Sequence, residues 1–134
     1  HLIPSILHSS PTNPLLIYGN DWPTPDGTPI RDFVHVTDLA DALVKSLVHL
    51  EKPGNTVINI GTAKGSTVLE VVAEAESVLG RKINYKFIGR RPGDSFALVT
   101  SNQVAKDVLG WAPVNSLSNI LEDATEELTT NNQL

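Results

Sequence analysis

The sequence predicts an α/β fold of short strands and about five helices. Three observations carry this reading. Residues 33 to 80 read strand, helix, strand, helix from their apolar runs and turn residues; Ile83 to Ile88 alternate apolar and polar side chains; residues 117 to 128 keep one apolar face at helical spacing. At 134 residues, the chain makes one domain, 1–134, long enough to bury roughly two-thirds of its unfolded surface.

Taken in order, Leu2, Ile3, Ile6 and Leu7 lie at helical spacing and predict a short helix over 2 to 10, with Pro4 tolerated in its first turn. Pro11 and Pro14 end it. Leu15 to Tyr18 predicts a strand that stops at Gly19, and Asp21 to Pro29 predicts a loop punctuated by prolines and Gly27. Loops of that length in a compact domain are usually functional. Phe33 to Val36 predicts a strand with His35 packed inside it. Thr37 and Asp38 then cap a helix carrying Asp41 in its first turn, Leu39, Leu43, Leu47 and Leu50 on its apolar face, and Pro53-Gly54 as its stop.

Val57 to Gly61 predicts the next strand. Thr67 and Glu70 have capping-box spacing, Val68, Leu69, Val72, Ala75 and Leu79 mark a buried helix face, and Gly80 closes that helix. The strand over 83 to 88 is expected to be half-buried, with Tyr85 and Phe87 on one face. Ser101 is expected to cap a short helix that ends at Gly110, with Trp111 packing back on it. The last helix should bury Leu117, Ile120, Leu121, Ala124 and Leu128, and its tail should fray after Thr129.

Composition narrows the function classes. The chain is 40% hydrophobic and 19% charged, ordinary for a globular protein, and no apolar run approaches the ~20 residues of a membrane span. No membrane partner is expected. The absence of cysteine excludes disulfides and thiolate metal sites and fits a reducing, cytoplasmic setting. His1, His8, His35 and His49 are scattered without ligand spacing, so no metal centre is expected. A net charge of −5 argues against a nucleic-acid surface. Yet Arg81, Lys82, Lys86, Arg90 and Arg91 supply half of the 10 basic residues, whereas Asp107 to Leu134 holds acids and no Lys or Arg. Such a cluster suits a small anion, although Lys82 and Lys86 equally suit a solvated strand. The chain opens on His1 and holds no methionine, which predicts a piece of a longer protein.

The strongest chemistry is a pair of arginines at strand and loop junctions, Arg31 and Arg91, with Asp94 three residues beyond the second. Two guanidinium forks suit a diphosphate, and a carboxylate beside them suits ribose hydroxyls. The same residues also suit a structural use, with Arg31 on an internal acid and Arg91 to Asp94 as a turn. The turn from Gly61 to Ser66 lacks the dinucleotide fingerprint, since Ala63 and Ser66 stand where glycines are needed. It reads as a plain turn between strand and helix. No nucleophile elbow or Ser/His pairing is evident.

The stretches GNDWPTPDGTPIRDFVHVTDLADAL, INIGTAKGSTVLEVV, INYKFIGRRPGD and VLGWAP resemble the C-terminal part of the UDP-glucose 4-epimerase family, within the extended short-chain dehydrogenase/reductases. The resemblance covers essentially the whole chain. It implies a substrate-binding C-terminal part whose Rossmann half is absent from these residues. It also implies a parent that interconverts UDP-galactose and UDP-glucose through an NAD-dependent 4-keto intermediate, with NAD bound by the N-terminal domain. Family catalysis uses a Tyr-x-x-x-Lys pair, but Trp22 follows Tyr18 and Gly89 follows Tyr85 at that spacing. No catalytic or cofactor-binding residue is therefore expected here, and the isolated chain should be inactive.

Residue by residue, the resemblance implies that Arg31 and Arg91 hold the diphosphate and Asp94 the ribose. Leu16 and Tyr18 would offer main chain to the uracil edge, Val68 would touch the base, and His1 would lie near the phosphates. Phe33 replaces a frequent tyrosine, with loss of one hydroxyl, and Leu98 stands where some members have tyrosine. Implied partners are the UDP-sugar, the N-terminal Rossmann domain and, for the parent, a second copy in a homodimer. A related epimerase for UDP-pentoses or UDP-N-acetylhexosamines shares this scaffold, and a non-catalytic UDP-binding module is a further reading.

Overall fold

The computed structural model describes residues 1–50 and 54–131. Its elements, in chain order, are α1 (Leu2–Leu7), β1 (Leu15–Tyr18), β2 (Ile30–Asp32), α2 (Val36–His49), β3 (Gly65–Thr67), α3 (Val68–Leu79), β4 (Tyr85–Ile88), β5 (Ala97–Leu98), α4 (Gln103–Leu109) and α5 (Leu117–Asn131). The fold is α/β, with five helices and two small sheets among the described residues. One sheet pairs β1 with β4 in parallel, and the other runs β3-β2-β5, with β2 antiparallel to β3 and parallel to β5.

The main core lies where α3 and α5 cover the first sheet. Leu15 and Ile17 alternate inward from β1 and meet Ile6, Val71, Val72, Ala75, Ile83 and Leu121. Each such side chain contributes about 1.5–3 kcal/mol on burial. Thr67 caps α3 through the expected box: its hydroxyl accepts from the Glu70 amide at 3.1 Å, and the Glu70 carboxylate accepts from the Thr67 amide at 2.8 Å. A second, smaller core joins Ala42 of α2, Ala105 of α4 and Trp111, whose Nε1–H donates to the Asp38 carbonyl at 2.9 Å.

Several elements differ from the sequence reading. The strand expected over Phe33 to Val36 is displaced to β2, and His35 caps α2 instead of filling a strand. Its backbone is extended and its Nδ1 accepts from the Thr37 amide at 3.1 Å, while Nε2 faces Asp123 of α5 at 3.1 Å. Asp38 is therefore not the cap. Its buried carboxylate accepts from the amides of Val114 and Asn115 and from the Asn115 side chain, fastening the segment before α5. Asn102, not Ser101, precedes α4, and its side-chain amide donates to the Gly61 carbonyl at 3.0 Å.

Val57 to Ile60 forms no ladder among the described residues, because a lone apolar segment needs a neighbouring strand to satisfy its peptide groups. The face of β4 bearing Tyr85 and Phe87 points outward, the rings meeting edge to face at 5.5 Å. Helix α5 continues through Asn131, beyond the expected fraying point. Pro53 of the expected α2 stop, and the tail beyond Asn131, lie outside the described residues. The leucine face of α2 exists but is not covered: Leu43 and Leu47 are 60% and 64% exposed, with Val44, Val48 and Leu50 beside them.

Loop 19–29 is fastened by Asp26. One carboxylate oxygen accepts from the Thr28 amide at 2.8 Å and from the Thr28 hydroxyl at 2.7 Å, and the other accepts from the Thr67 hydroxyl. Burial pushes the Asp26 carboxyl up, but these hydrogen bonds together outweigh it and hold the pKa below its ordinary value. The folded state thus favours the ionised form, and the resulting stability is present above the ordinary carboxyl pKa and lost as pH falls through the lower folded value. Asp26→Ala should lower unfolding stability by about 1–3 kcal/mol at pH 7. Urea titrations should show that deficit shrinking as pH drops below the carboxylate range.

An exposed apolar face of this length favours association. Sedimentation of these 134 residues should show concentration-dependent self-association, and the double variant Leu43→Asp, Leu47→Asp should return it to monomer. A monodisperse wild-type monomer would contradict this.

Candidate functional site

A cavity of about 490 Å³ opens between α1, β1, β2 and the turn after β4. Its lining includes His1, Leu16, Tyr18, Arg31, Phe33, Val68, Arg91 and Asp94. The structure therefore brings together the eight residues that the resemblance singled out for substrate contact, but not Leu98. Each arrives on a different support.

Leu16 and Tyr18 stand two residues apart on β1, so both side chains leave the same face and their peptide groups lie along the strand edge away from β4. That edge is unpaired among the described residues, and Leu16 is 46% exposed. Arg31 projects from β2. Its Nη1 donates to the carbonyls of Ile30 and Ser95 at 2.8 and 3.0 Å, which fixes the guanidinium plane, and its Nη2 lies 3.8 Å from the Asp94 carboxylate. At that distance the pair is an electrostatic contact without a well-formed hydrogen bond.

Arg91 to Asp94 is a turn closed by the Asp94 amide donating to the Arg91 carbonyl at 3.1 Å, with Pro92 second and Gly93 third at φ 84°. Proline followed by a positive-φ glycine is the type II pattern. The turn reading and the ligand reading of these residues are thus compatible, since both ends of the turn face the cavity. The Arg91 guanidinium stacks on the Tyr18 ring at 4.0 Å. Phe33 and Val68 close the floor, both packed into the main core. His1 sits at the start of α1, where its carbonyl accepts from the Ser5 amide and hydroxyl.

The basic cluster of the sequence divides in space. Arg81 donates to the Leu7 and Ser9 carbonyls, Lys82 pairs with Glu76 at 2.7 Å, and Arg90 pairs with Asp21 at 2.7 Å. Only Arg91 of the five lines the cavity. Ser5 also lines it and was missed; its position four residues after His1 on one helix is the signal that could have shown it. Leu98 does not line the cavity; it lies in β5, paired with Arg31, and is 57% exposed.

The turn after Gly61 does not fit a dinucleotide. Its amides are already used: the Asp32 carboxylate accepts from Thr62 N at 3.0 Å, Ala63 N at 3.2 Å and Thr100 N at 3.1 Å, and from the Thr62 hydroxyl. A phosphate there would have to displace a carboxylate. The described residues thus offer no cradle for NAD at this turn, and no step of hydride transfer is assigned to them.

Residues 1–61 match the NAD dependent epimerase/dehydratase family. A UDP-glucose 4-epimerase of Rhizobium leguminosarum bv. trifolii is 45% identical over 118 residues, covering 87% of this chain and 36% of that protein. Among solved structures, a UDP-glucose 4-epimerase from Stenotrophomonas maltophila with bound NAD and formylated UDP-arabinopyranose superposes with a TM-score of 0.92 at 29% identity, over 99% of this chain and 40% of that one. The enzyme from Bifidobacterium longum in complex with NAD+ and UDP gives 0.88 at 34% identity, over 98% and 38%. The chain thus spans well under half the length of each of these relatives. With the α/β fold and five helices above, the match to the NAD dependent epimerase/dehydratase family over residues 1–61 and these relatives fit the C-terminal part of an extended short-chain dehydrogenase/reductase.

Proposed function

We propose that this chain is the UDP-binding part of a UDP-glucose 4-epimerase, holding the nucleotide end of the substrate while the chemistry takes place on the N-terminal Rossmann domain. The observation that carries the reading is the convergence of Arg31, Arg91 and Asp94 with the open edge of β1 on one cavity. Arg31, braced through Nη1, keeps its other donors for a phosphate oxygen. Arg91 supplies the second fork. Asp94, next to both, accepts from ribose hydroxyls, and the β1 edge offers the Leu16 N–H and C=O and the Tyr18 N–H to the uracil edge, the Tyr18 C=O already accepting from the Trp22 indole. The Val68 side chain contacts the base, and His1 faces the phosphates.

The two guanidinium groups neutralise the diphosphate, and Asp94 fixes register by repelling phosphate from the ribose position. Binding of this kind positions the sugar without touching its reacting carbon. In the family the hydride change at C4 is supplied by NAD, which we assign to the N-terminal domain of the parent. The exposed face of α2 and the unpaired Val57 to Ile60 are the surface we assign to contact with that domain. In its absence, self-association is the competing outcome. The parent's own homodimer and a cytoplasmic setting belong to this same reading; no described helix is long and apolar enough to cross a membrane.

Calorimetry with UDP tests the reading. The chain should bind UDP, and Arg91→Ala or Arg31→Ala should weaken binding by roughly tenfold to a hundredfold, the loss of a charge-assisted hydrogen-bonded contact. No heat of binding at millimolar UDP would overturn the proposal for this chain. Incubated with UDP-galactose and NAD, the chain alone should form no UDP-glucose; turnover would show that catalytic groups reside in these residues.

A further inference from the structure

Arg90 and Arg91 are adjacent, yet their side chains leave the chain after β4 in different directions, as neighbours in extended backbone do. Arg91 lines the cavity. Arg90 crosses the Trp22 indole at 4.1 Å, donates from Nε to the Asp21 carboxylate at 2.7 Å, and donates from Nη2 to the Asp21 carbonyl. The indole N–H of Trp22 in turn donates to the Tyr18 carbonyl at 3.1 Å, and the Tyr18 ring carries Arg91 at 4.0 Å. The contacts close a ring: Arg90 to Trp22, Trp22 to Tyr18, Tyr18 to Arg91, and Arg91 back to Arg90 through the backbone.

Gly19 sits inside this ring. A Cβ there would overlap the Trp22 indole nitrogen and lie 2.9 Å from Arg90 Cγ, and its φ of +84° is one that side chains rarely adopt. The close approach is therefore built into the backbone. Arg91 itself makes no ion pair within 4.0 Å among the described residues, and its long side chain is exposed. Left alone, such a side chain would have to be ordered at the moment a ligand arrives. The stack on Tyr18 removes part of that disorder beforehand. The Arg90 hydrogen bond also holds the Asp21 carboxyl below its ordinary pKa, which keeps the outer clasp charged.

We propose that Trp22 and Arg90 are positioning residues, which touch no ligand but hold the Tyr18 ring and through it the Arg91 guanidinium in place for a phosphate of the ligand. This rests on the UDP-binding reading for its ligand, but the positioning itself is a property of the free chain. It also explains why a loop from Gly19 to Pro29 with three prolines is fastened through Asp21 and Trp22 to Arg90, the residue before the turn that carries Arg91.

Two measurements test it. In the ligand-free chain, nuclear Overhauser contacts between the Tyr18 ring and the Arg91 side chain should be present in wild type and lost in Arg90→Ala and Trp22→Ala. They should also weaken in Trp22→Phe, which keeps a stacking surface for Arg90 but removes the N–H that holds the Tyr18 carbonyl. Contacts that persist unchanged in Arg90→Ala overturn the proposal whether or not UDP binds. In ligand titrations, Arg90→Ala should raise the UDP dissociation constant by about tenfold and leave that of uridine, which has no phosphate, nearly unchanged. The double variant Arg90→Ala, Trp22→Ala should lose no more than either single change, because one unit has been broken. Equal weakening of UDP and uridine would show a general structural role and overturn the proposal. Failure of wild type to bind UDP would remove the UDP reading, with the free-chain contacts still deciding the positioning.

Discussion

The segment from Tyr85 to Leu98 pairs with two different sheets, and most of the site follows from that constraint. Its first part, β4, runs parallel to β1 in register from Leu15 opposite Tyr85 to Tyr18 opposite Ile88. Its last part, β5, runs parallel to β2, with Arg31 opposite Leu98. The turn Arg91 to Asp94 lies between the two pairings, so it has to sit between Tyr18 and Arg31. Neither arginine would meet the other cavity wall if either pairing slipped, because a shift of one residue turns every side chain to the other face.

Short strands alone hold little, and carboxylates do much of the remaining fastening. Asp26 gathers loop 19–29 onto the start of α3, Asp32 gathers the turns at Thr62 and Thr100, and Asp38 gathers the segment at Val114 and Asn115. In each case one side chain accepts from amides or hydroxyls of segments that form no ladder with one another. Hydrogen bonds to an ionised acceptor contribute about 1.5–3 kcal/mol each, more than neutral ones. Part of the chain's negative charge is thus internal scaffolding. The positive charge at the cavity belongs to two arginines, not to the five-residue cluster.

The exposed face of α2 and the unladdered Val57 to Ile60 stand apart from this scheme. Both are apolar in sequence; the α2 face is uncovered among the described residues, and in the second segment Val57 is exposed while Ile58 and Ile60 pack on the small core around Trp111. The main core and the cavity lie on the other elements and close without them. The cavity side of the molecule is therefore built as a unit, whereas the α2 side presents apolar side chains that the described residues leave exposed.

Local chemistry was enough for what depends on neighbours in sequence. The strand Leu15 to Tyr18, the Thr67 and Glu70 box, the α/β alternation and the motif around Arg31 and Arg91 could all be read from residue type and spacing. Where reading failed, a distant group had decided the outcome. The β-branched run at Phe33 to Val36 has strand propensity, but His35 caps a helix there and the ladder forms three residues earlier. Asp38 looks like a cap until Val114 and Asn115 reach it from 76 and 77 residues away. Ser101 loses its capping place to Asn102, which answers to the Gly61 carbonyl. The sequence by itself determined that two arginines and an aspartate, Arg31, Arg91 and Asp94, stand where strands give way to loops. Only the tertiary structure decided that Arg91 and not Arg90 faces the cavity, because that choice depends on an indole and a carboxylate some seventy positions earlier, which no local spacing encodes.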